Sequence, residues 1–255
     1  SGLIYRNKVD INFEDFSVTT GQFAGDCMEL NTENPTVYNY LKNSYDKYID
    51  MGVDAFRIDT TKHVSRLTFN KEFIPAFQAE AKKNGNDNFY MFGEVAARGR
   101  DVWYRGTPSL SPQFYTWKES KEYPWSQTDP DINLASTKQD FADNGQDYSA
   151  LDKQPTSDNA LLNGNTYHTP DTSKASGLNT IDFQMHWNFA NAKDAFGVAL
   201  AEDKTYNDST WNVTYVDSHD YAPDTAPESE RFNQPEDTWA ENLNLMFTFR
   251  GIPCL

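Results

Sequence analysis

The sequence has 255 residues and a formal net charge of −16, from 38 acidic and 22 basic side chains. This surplus of negative charge repels the phosphates of nucleic acids and of anionic lipids, so neither is an expected partner. No stretch approaches the roughly 20 consecutive apolar residues that a membrane-spanning helix needs. A chain of this length can bury a sizeable core, and it could form one α/β barrel or two smaller domains.

The segment up to Asn31 has no sustained period and is predicted to form loops. A helix is predicted next, with Asn34 as its cap, Pro35 in the first helical position and Gly52 as its stop. Four apolar side chains recur on one face of this helix, which we expect to be buried: Val37, Leu41, Tyr45 and Tyr48.

Short strands and helices alternate from residue 53 onward, and this order favours parallel pairing in an α/β fold. The strands are predicted over 53–59, 89–94, 179–183, 213–216 and 252–255. The helices are predicted over about 70–83, 186–201 and 238–249.

One polar excursion, over about 101–176, interrupts the alternation and is too long for an ordinary connection. Disordered segments are poor in aromatic residues, and the first part of this one is rich in them. We therefore predict an ordered excursion beside the functional site, carrying Trp103, Tyr104, Phe114, Tyr115, Trp117, Tyr123 and Trp125.

Cysteine and histidine are too few and too scattered to suggest a zinc or iron site. Cys27 and Cys254 are the only cysteines, so we expect two free thiols rather than a disulfide framework or a CxxC metal site. His168 and His186 have no metal-ligand spacing with one another.

Polar residues fall where three predicted strands end, and in a parallel barrel those ends share one mouth. Arg57 and Asp59 lie two apart in one strand and point the same way, and the guanidinium favours an ionised, nucleophilic Asp59. Glu94 follows an apolar strand, and a poorly solvated carboxyl group keeps its proton to higher pH, as a proton donor requires. His219 and Asp220 end the third of these strands.

Each of these residues also has an ordinary structural interpretation. Among 38 acidic side chains, a single carboxylate at a strand end is more often a solvated or capping group than a catalytic one. A lone histidine after a turn is as often a structural donor as a ligand contact, and a lysine such as Lys62 is usually solvated. The combination of residues carries the functional prediction.

Three segments, in the same order, resemble the motifs that end the fourth, fifth and seventh strands of glycoside hydrolase family 13, the α-amylase family. The stretch 31–52 also resembles that family's third barrel helix, and 250–253 resembles its approach to the eighth strand. The three motif segments are Gly-Val-Asp-Ala-Phe-Arg-Ile-Asp-Thr-Thr-Lys-His at 52–63, Phe-Gly-Glu-Val at 92–95 and Tyr-Val-Asp-Ser-His-Asp at 215–220.

The resemblance implies a (β/α)8 TIM barrel, of which this chain would hold about strands four to eight. Residues 1–31 would be the end of a domain inserted after strand three, and residues 32–255 would be the partial catalytic barrel. The family's strand-three motif, an Asp followed by Asn-His, is absent. Since a partial barrel would expose sheet edges, we expect the chain to be a fragment that does not form a stable closed barrel alone.

The resemblance also implies roles for the individual residues. Asp59 would be the nucleophile of a retaining mechanism, Glu94 the acid/base, and Asp220 a third carboxylate that binds substrate hydroxyls and distorts the ring. The implied substrate-binding residues are Arg57, which orients Asp59, His219 in the cleavage subsite, and Lys62 with His63 on the leaving-group side.

A structural calcium ion is implied as well, and no organic cofactor is expected. Its ligands would include the backbone carbonyl of His63 and, in place of a family aspartate, the longer Glu29 in Cys-Met-Glu-Leu-Asn at 27–31. Calcium prefers such oxygen ligands.

The function implied is endo-hydrolysis of α-1,4-glucans such as starch or maltooligosaccharides, by a secreted enzyme. Aromatic residues, 15% of the chain, would suit this substrate because their flat faces fit the C–H faces of sugar rings. A transglycosylase or an α-glucosidase of the same family is the near alternative. A non-catalytic glucan-binding or structural barrel is the alternative from a different class.

Overall fold

The computed structural model describes nine segments of the chain. Residues 97–110 and 145–171 are outside them, so Trp103, Tyr104 and His168 are among the predicted features that lie beyond the described residues. The described segments are 3–7, 9–11, 16–22, 27–96, 111–118, 121–144, 172–220, 222–223 and 231–255.

In the described segments, five short parallel strands form the centre of the fold, and they lie side by side in chain order. The first three pair as β1-β2-β3, the last two pair with each other, and a parallel bridge from Ile181 to Val213 joins the two groups. In the part of the chain that is described, the strands form an open sheet and do not close a barrel. They are β1 (Ala55–Ile58), β2 (Tyr90–Gly93), β3 (Asn179–Thr180), β4 (Val213–Thr214) and β5 (Ile252–Pro253).

Helices connect and cover these strands. Short 3-10 turns accompany them, at Thr61–His63, Thr172–Lys174, Asp203–Thr205 and Ser209–Trp211. The α-helices are α1 (Ser17–Thr20), α2 (Pro35–Asp50), α3 (Arg66–Thr68), α4 (Ile74–Lys83), α5 (Pro112–Thr116), α6 (Pro130–Asn144), α7 (Phe183–Trp187), α8 (Ala192–Glu202) and α9 (Glu236–Thr248).

Helix α2 confirms the predicted cap and stop. The side chain of Asn34 accepts a hydrogen bond of 2.9 Å from the backbone N–H of Thr36, and Gly52 adopts a left-handed φ of 97° after the last turn. The predicted buried face is wrong at Tyr45 and Tyr48, which are about half exposed. Val37 is buried and Leu41 packs against the core as predicted, and Tyr38 and Ile49 complete the buried stripe.

The second predicted helix begins earlier than expected and contains a wide turn. The side chain of Ser65 caps it by accepting from the backbone N–H of Thr68 at 3.1 Å. A π-helical turn over Phe69–Phe73 then joins α3 to α4. Phe69 and Phe73, at the two ends of this turn, both belong to the core cluster.

Two polar caps also correct the predictions between β3 and β4. Asp182 accepts from the backbone N–H of Met185 at 3.0 Å and starts α7, so the predicted strand ends at Ile181. The side chain of Asn191 accepts from the backbone N–H of Asp194 at 2.8 Å and starts α8. The single helix predicted over 186–201 is therefore two helices.

Apolar side chains pack on both faces of the sheet. One cluster lies between β1, β2 and helices α2 and α4, with Met91 and Phe77 at its centre. A second cluster on the other face contains Phe183, Trp187 and Tyr215. Burial of a side chain of this size contributes about 1.5 to 3 kcal/mol, so the strands that carry the site are firmly held.

Candidate active site

A cavity of about 280 Å³ lies at the carboxyl ends of the strands. The structure brings four of the residues predicted for the site into its lining, from β1, from the end of β2 and from the segment after β4. These residues are Arg57, Glu94, His219 and Asp220.

Backbone pairing places Asp59 beside Glu94. Ile58 is opposite Gly93 in the parallel register, and Glu94 donates its N–H to the carbonyl of Ile58 at 2.8 Å. Thr61 then donates to the carbonyl of Glu94 at 3.0 Å. These two hydrogen bonds continue the ladder beyond β1 and β2, so the relative position of the two carboxylates is fixed by the main chain.

One guanidinium faces several carboxylates. Nη1 of Arg57 lies 3.0 Å from Oδ2 of Asp59, and Nη2 lies 3.8 Å from Oε2 of Glu94. Burial by itself lowers the pKa of Arg57, but the hydrogen bond and charge of Asp59 and the charges of Glu94 and Asp220 offset this, and the pKa is raised. Arg57 is thus a fixed cation among the three predicted catalytic carboxylates.

The two carboxylates of the predicted mechanism differ in solvation. The side chain of Glu94 is 8% exposed, whereas that of Asp59 is 63% exposed. Oε2 of Glu94 also accepts from the backbone N–H of Thr60 at 3.3 Å. An acid and a nucleophile need such different environments if carboxyl groups are to do both jobs at one pH.

Two backbone features that the sequence analysis did not single out shape this corner. Thr60 is the one non-glycine residue with positive φ in the described segments, at φ 47° and ψ 38°. For a β-branched residue this conformation is strained, and it turns the chain directly after Asp59. A Cβ on Gly93 would lie 2.4 Å from Oγ1 of Thr61, so only glycine allows this close approach.

The segment after β4 presents His219 and Asp220. Nε2 of His219 lies 2.9 Å from Oδ2 of Asp220, and both side chains are exposed to solvent. Asp217 organises the segment by accepting from the backbone N–H of Ser218 at 3.0 Å and from that of Phe232 at 3.3 Å. The motif contains Asp217, but a role in holding the loop was not predicted for it.

Lys62 and His63 lie away from the cavity. Lys62 donates to the carbonyl of Ala96 at 2.6 Å, and Nδ1 of His63 lies 2.9 Å from the carbonyl of Val18. Both residues are buried, and burial lowers the pKa of His63 to about 4. In this arrangement they support the turn after β1, and their contact with a leaving group stays a prediction.

The described residues contain no group of three or more His, Cys, Asp or Glu side chains that could hold a metal ion. The backbone carbonyl of Glu29 accepts from the N–H of Arg6 at 2.8 Å, and the turn of His63 packs on α1. Any calcium site at these two residues would therefore depend mainly on backbone oxygens.

Cys27 and Cys254 are free and exposed, and Cys254 lies in the lining of the cavity. No local pattern of the sequence predicts this position, because it follows from where β5 ends. The described parts of the excursion, 111–118, 121–144 and 172–176, contribute no residue to that lining. Trp125, for example, donates to Glu72 at 2.9 Å on the outer, helical side.

A model of the alpha-amylase catalytic domain matches residues 15–255 of the chain. The chain belongs to this family. It is the family predicted from the three motifs at the ends of β1, β2 and β4.

Two curated relatives are similar over part of the family domain. The chain is 40% identical to an alpha-amylase of Streptomyces lividans over 100 residues. This aligned stretch is 39% of this chain and 11% of that protein. It is 32% identical over 94 residues to a cyclomaltodextrin glucanotransferase of Klebsiella oxytoca, covering 37% of this chain and 14% of that one. The chain therefore matches only a small part of each relative.

Two solved structures share the fold of the family domain. A cyclomaltodextrin glucanotransferase with a three-domain ABC distribution matches all of this chain and 39% of its own, with a TM-score of 0.58 and 17% identity. An alpha-amylase from Geobacillus thermoleovorans, complexed with acarbose, matches 98% of this chain and 42% of its own, with a TM-score of 0.57 and 16% identity. These likenesses support the predicted α/β class.

Among the helices described here, none combines the length and the apolar character needed to cross a membrane.

Proposed function

We propose that the protein is a retaining glycoside hydrolase that cleaves α-1,4-glucosidic bonds in starch or maltooligosaccharides, as an endo-acting α-amylase does. The observation that carries the proposal is the placement of Asp59, Glu94 and Asp220 around the guanidinium of Arg57. Membership of the alpha-amylase family supports the substrate class.

In the first proposed step, a carboxylate oxygen of Asp59 forms a bond to the anomeric carbon while the bond from that carbon to the leaving oxygen breaks. Glu94 gives its proton to the leaving oxygen, so the departing sugar is neutral. The low exposure of Glu94 supports its role as the proton donor, and the exposed Asp59, held at 3.0 Å by Arg57, suits the nucleophile.

In the second proposed step, water attacks the anomeric carbon and releases the carboxylate of Asp59. Glu94 accepts the proton of this water and is ready for another cycle. Asp220 and His219, which also line the cavity, would hold hydroxyl groups of the reacting sugar.

The nucleophile can be tested by chemical trapping. A fluorinated glycosyl reagent forms a long-lived ester with the attacking carboxylate, and peptide mapping of the labelled full-length protein should locate it at Asp59. A label on another residue, or no label, would refute the assignment of Asp59.

A transglycosylase is the second candidate, and the similarity to cyclomaltodextrin glucanotransferases favours it. Both activities share the first step and differ in whether water or a sugar hydroxyl attacks the intermediate. Incubation with maltoheptaose separates them: short maltooligosaccharides support the amylase, whereas elongated or cyclic products support the transglycosylase. Release of glucose alone would point to an α-glucosidase. A non-catalytic glucan-binding barrel, the alternative from another class, would give no products.

We further propose that this chain supplies strands four to eight of a (β/α)8 barrel in a secreted protein, with β1 as strand four. Five parallel strands in chain order support this assignment.

A structural calcium ion would be bound through oxygens near His63 and Glu29, and chelation with EDTA should lower the melting temperature of the full-length protein. An unchanged melting temperature would refute the calcium site.

A further inference from the structure

A second cavity, of about 250 Å³, lies at the amino ends of β2 and β3, and its lining has no residue in common with the cavity that holds Arg57, Glu94 and Asp220. Its walls come from the segments that precede three strands. These contribute Asn88 before β2, Asn179 at the start of β3, and Asn207, Asp208 and Trp211 before β4. The two cavities therefore lie at opposite ends of the same strands.

Trp211 is the largest side chain in this second cavity, and half of it is exposed. Two hydrogen bonds hold its backbone in place. The hydroxyl of Tyr90 donates to the carbonyl of Trp211 at 2.6 Å, and the backbone N–H of Trp211 donates to the backbone carbonyl of Asp208 at 3.2 Å. The indole itself belongs to none of the core clusters of the described residues. A rigid, half-exposed aromatic face can bind a ligand with little loss of entropy.

The polar groups around Trp211 favour a neutral ligand that carries hydroxyl groups. The exposed Asn88 and the partly buried Asn179 have amides that can both donate and accept hydrogen bonds, and Asn179 also donates to the carbonyl of Met91 at 3.3 Å. The described lining contains no lysine, arginine or histidine, and Asp208 adds a negative charge, so phosphates and carboxylates have no cation to pair with. An indole face beside amides matches a pyranose ring, which has apolar C–H faces and a rim of hydroxyls.

We propose that this cavity is a second, non-catalytic binding site for a neutral oligosaccharide, with Trp211 as the surface on which a sugar ring stacks. The choice of an α-glucan as the ligand rests on the proposed function. A polymer held at Trp211 has a higher effective concentration at the cleavage site, whereas a short substrate gains nothing from it.

The test uses the full-length protein with Trp211→Ala and Trp211→Phe, and Tyr40→Ala as a matched control at another exposed aromatic residue. Binding of soluble amylose is measured in variants that also carry Asp59→Asn, so that the polymer is not degraded. Hydrolysis of a short chromogenic maltotrioside is measured with Asp59 intact. Thermal melting checks that each variant is folded.

We expect Trp211→Ala to weaken amylose binding by about tenfold, the loss typical of a well-packed aromatic contact. Trp211→Phe should retain most of the binding, Tyr40→Ala should retain all of it, and the rate on the maltotrioside should be unchanged in all three. Unchanged amylose binding in Trp211→Ala would overturn the proposal, and so would an equal loss in Tyr40→Ala. An equal loss of amylose binding and maltotrioside hydrolysis would also overturn it, because Trp211 would then act on the catalytic cavity.

A failure of the proposed function gives a different result. If the protein with Asp59 intact hydrolyses no maltotrioside, the hydrolase assignment fails, yet amylose binding in the Trp211 variants still tests the second site.

Discussion

Glu94 and Asp59 are both carboxylates beside Arg57, yet they meet solvent very differently. Glu94 lies in the wall of the cavity and accepts a hydrogen bond from the backbone of Thr60, whereas Asp59 projects into solvent from the end of β1. The difference arises because the register of β1 and β2 sets Glu94 behind the turn that follows Asp59. Variants of these residues should therefore fail in different ways.

We expect Glu94→Gln to lower kcat/KM on maltooligosaccharides by about 10²- to 10⁴-fold, because the leaving oxygen receives no proton. With α-maltosyl fluoride as the substrate, the rate of the first step should fall much less, since fluoride departs without protonation. Stopped-flow release of fluoride measures this step. Glu122→Gln is the control, as Glu122 is an exposed glutamate with a surface ion pair to Lys71. Equal losses on both substrates would contradict the role of Glu94 as an acid.

Gly93→Ala should destabilise the protein and impair activity, because the new methyl group would lie 2.4 Å from Oγ1 of Thr61. Overpacking of this kind costs about 1 to 3 kcal/mol, and the shift would move Glu94, the next residue. Gly197→Ala is the matched control, since a Cβ there meets no atom within 4 Å in helix α8, and it should stabilise by about 0.5 to 1 kcal/mol. Urea unfolding at pH 7 gives both values. A Gly93→Ala protein as stable as the parent would refute the close-packing argument.

Among the elements, α7 carries a buried group that couples stability to pH. Burial lowers the pKa of His186 from 6.5 to about 4. Hydrogen bonds to backbone carbonyls and the negative charge of Asp182 raise this pKa, but they offset the effect of burial only in part. The unfolded chain binds a proton at pH values where the folded chain does not. The stability from neutral His186 is therefore present above pH 6.5 and is lost as the pH falls toward 4. Buried His63, with a pKa of about 4, acts in the same direction.

We expect the free energy of unfolding to fall by about 2 kcal/mol between pH 7 and pH 5 through His186 alone. His186→Asn should remove this part of the pH dependence, since the amide can replace Nδ1 as a donor toward the carbonyl of Tyr215, 3.3 Å away. Urea titrations at the two pH values measure the difference. If His186→Asn and the parent had the same slope, the coupling would be refuted.

Local sequence signals predict those elements whose ends are set by local chemistry. Helix α2 is predicted well because Asn34 and Pro35 begin it and Gly52 ends it, all through contacts near in sequence. The π turn over Phe69–Phe73 is not predictable in this way, because it depends on how that segment packs against the core. Neither is α6, where the polar composition suggested a loop.

The candidate site is predictable for a different reason. Three carboxylates follow three strands, and parallel pairing brings strand ends together whatever the details of the loops. The sequence cannot predict that Lys62 and His63 turn away from the cavity, because this depends on the left-handed Thr60 between them and Asp59. It also cannot predict the cavity at Trp211, whose walls are far apart along the chain.

At the scale of the whole molecule, one buried arginine ties distant parts of the chain together. Arg250, just before β5, contacts Asp182 at the start of α7 at 2.6 Å and Asp203 after α8 at 3.0 Å. All three side chains are almost fully buried. Removal of the cation would leave Asp182 and Asp203 buried without the guanidinium that both of them contact.

Arg250→Met should therefore cost about 3 to 5 kcal/mol of stability, whereas Arg231→Met, at an exposed arginine near Asp217, should cost less than about 1 kcal/mol. Thermal melting of both proteins measures this difference. Arg250→Met combined with Asp182→Asn and Asp203→Asn should recover part of the loss, because the charges left behind are then removed. A loss as small as that of Arg231→Met would show that the network is not a major source of stability.

The five strands lie in the sheet in the order in which a ribosome makes them. Each new strand can thus add to a neighbour that already exists, without displacing an earlier partner. Asp59 and Glu94 would be next to each other as soon as β2 has paired, well before Asp220 is synthesised. The two residues assigned to bond cleavage would come together first during folding, and the segment that carries His219 and Asp220 would join them last.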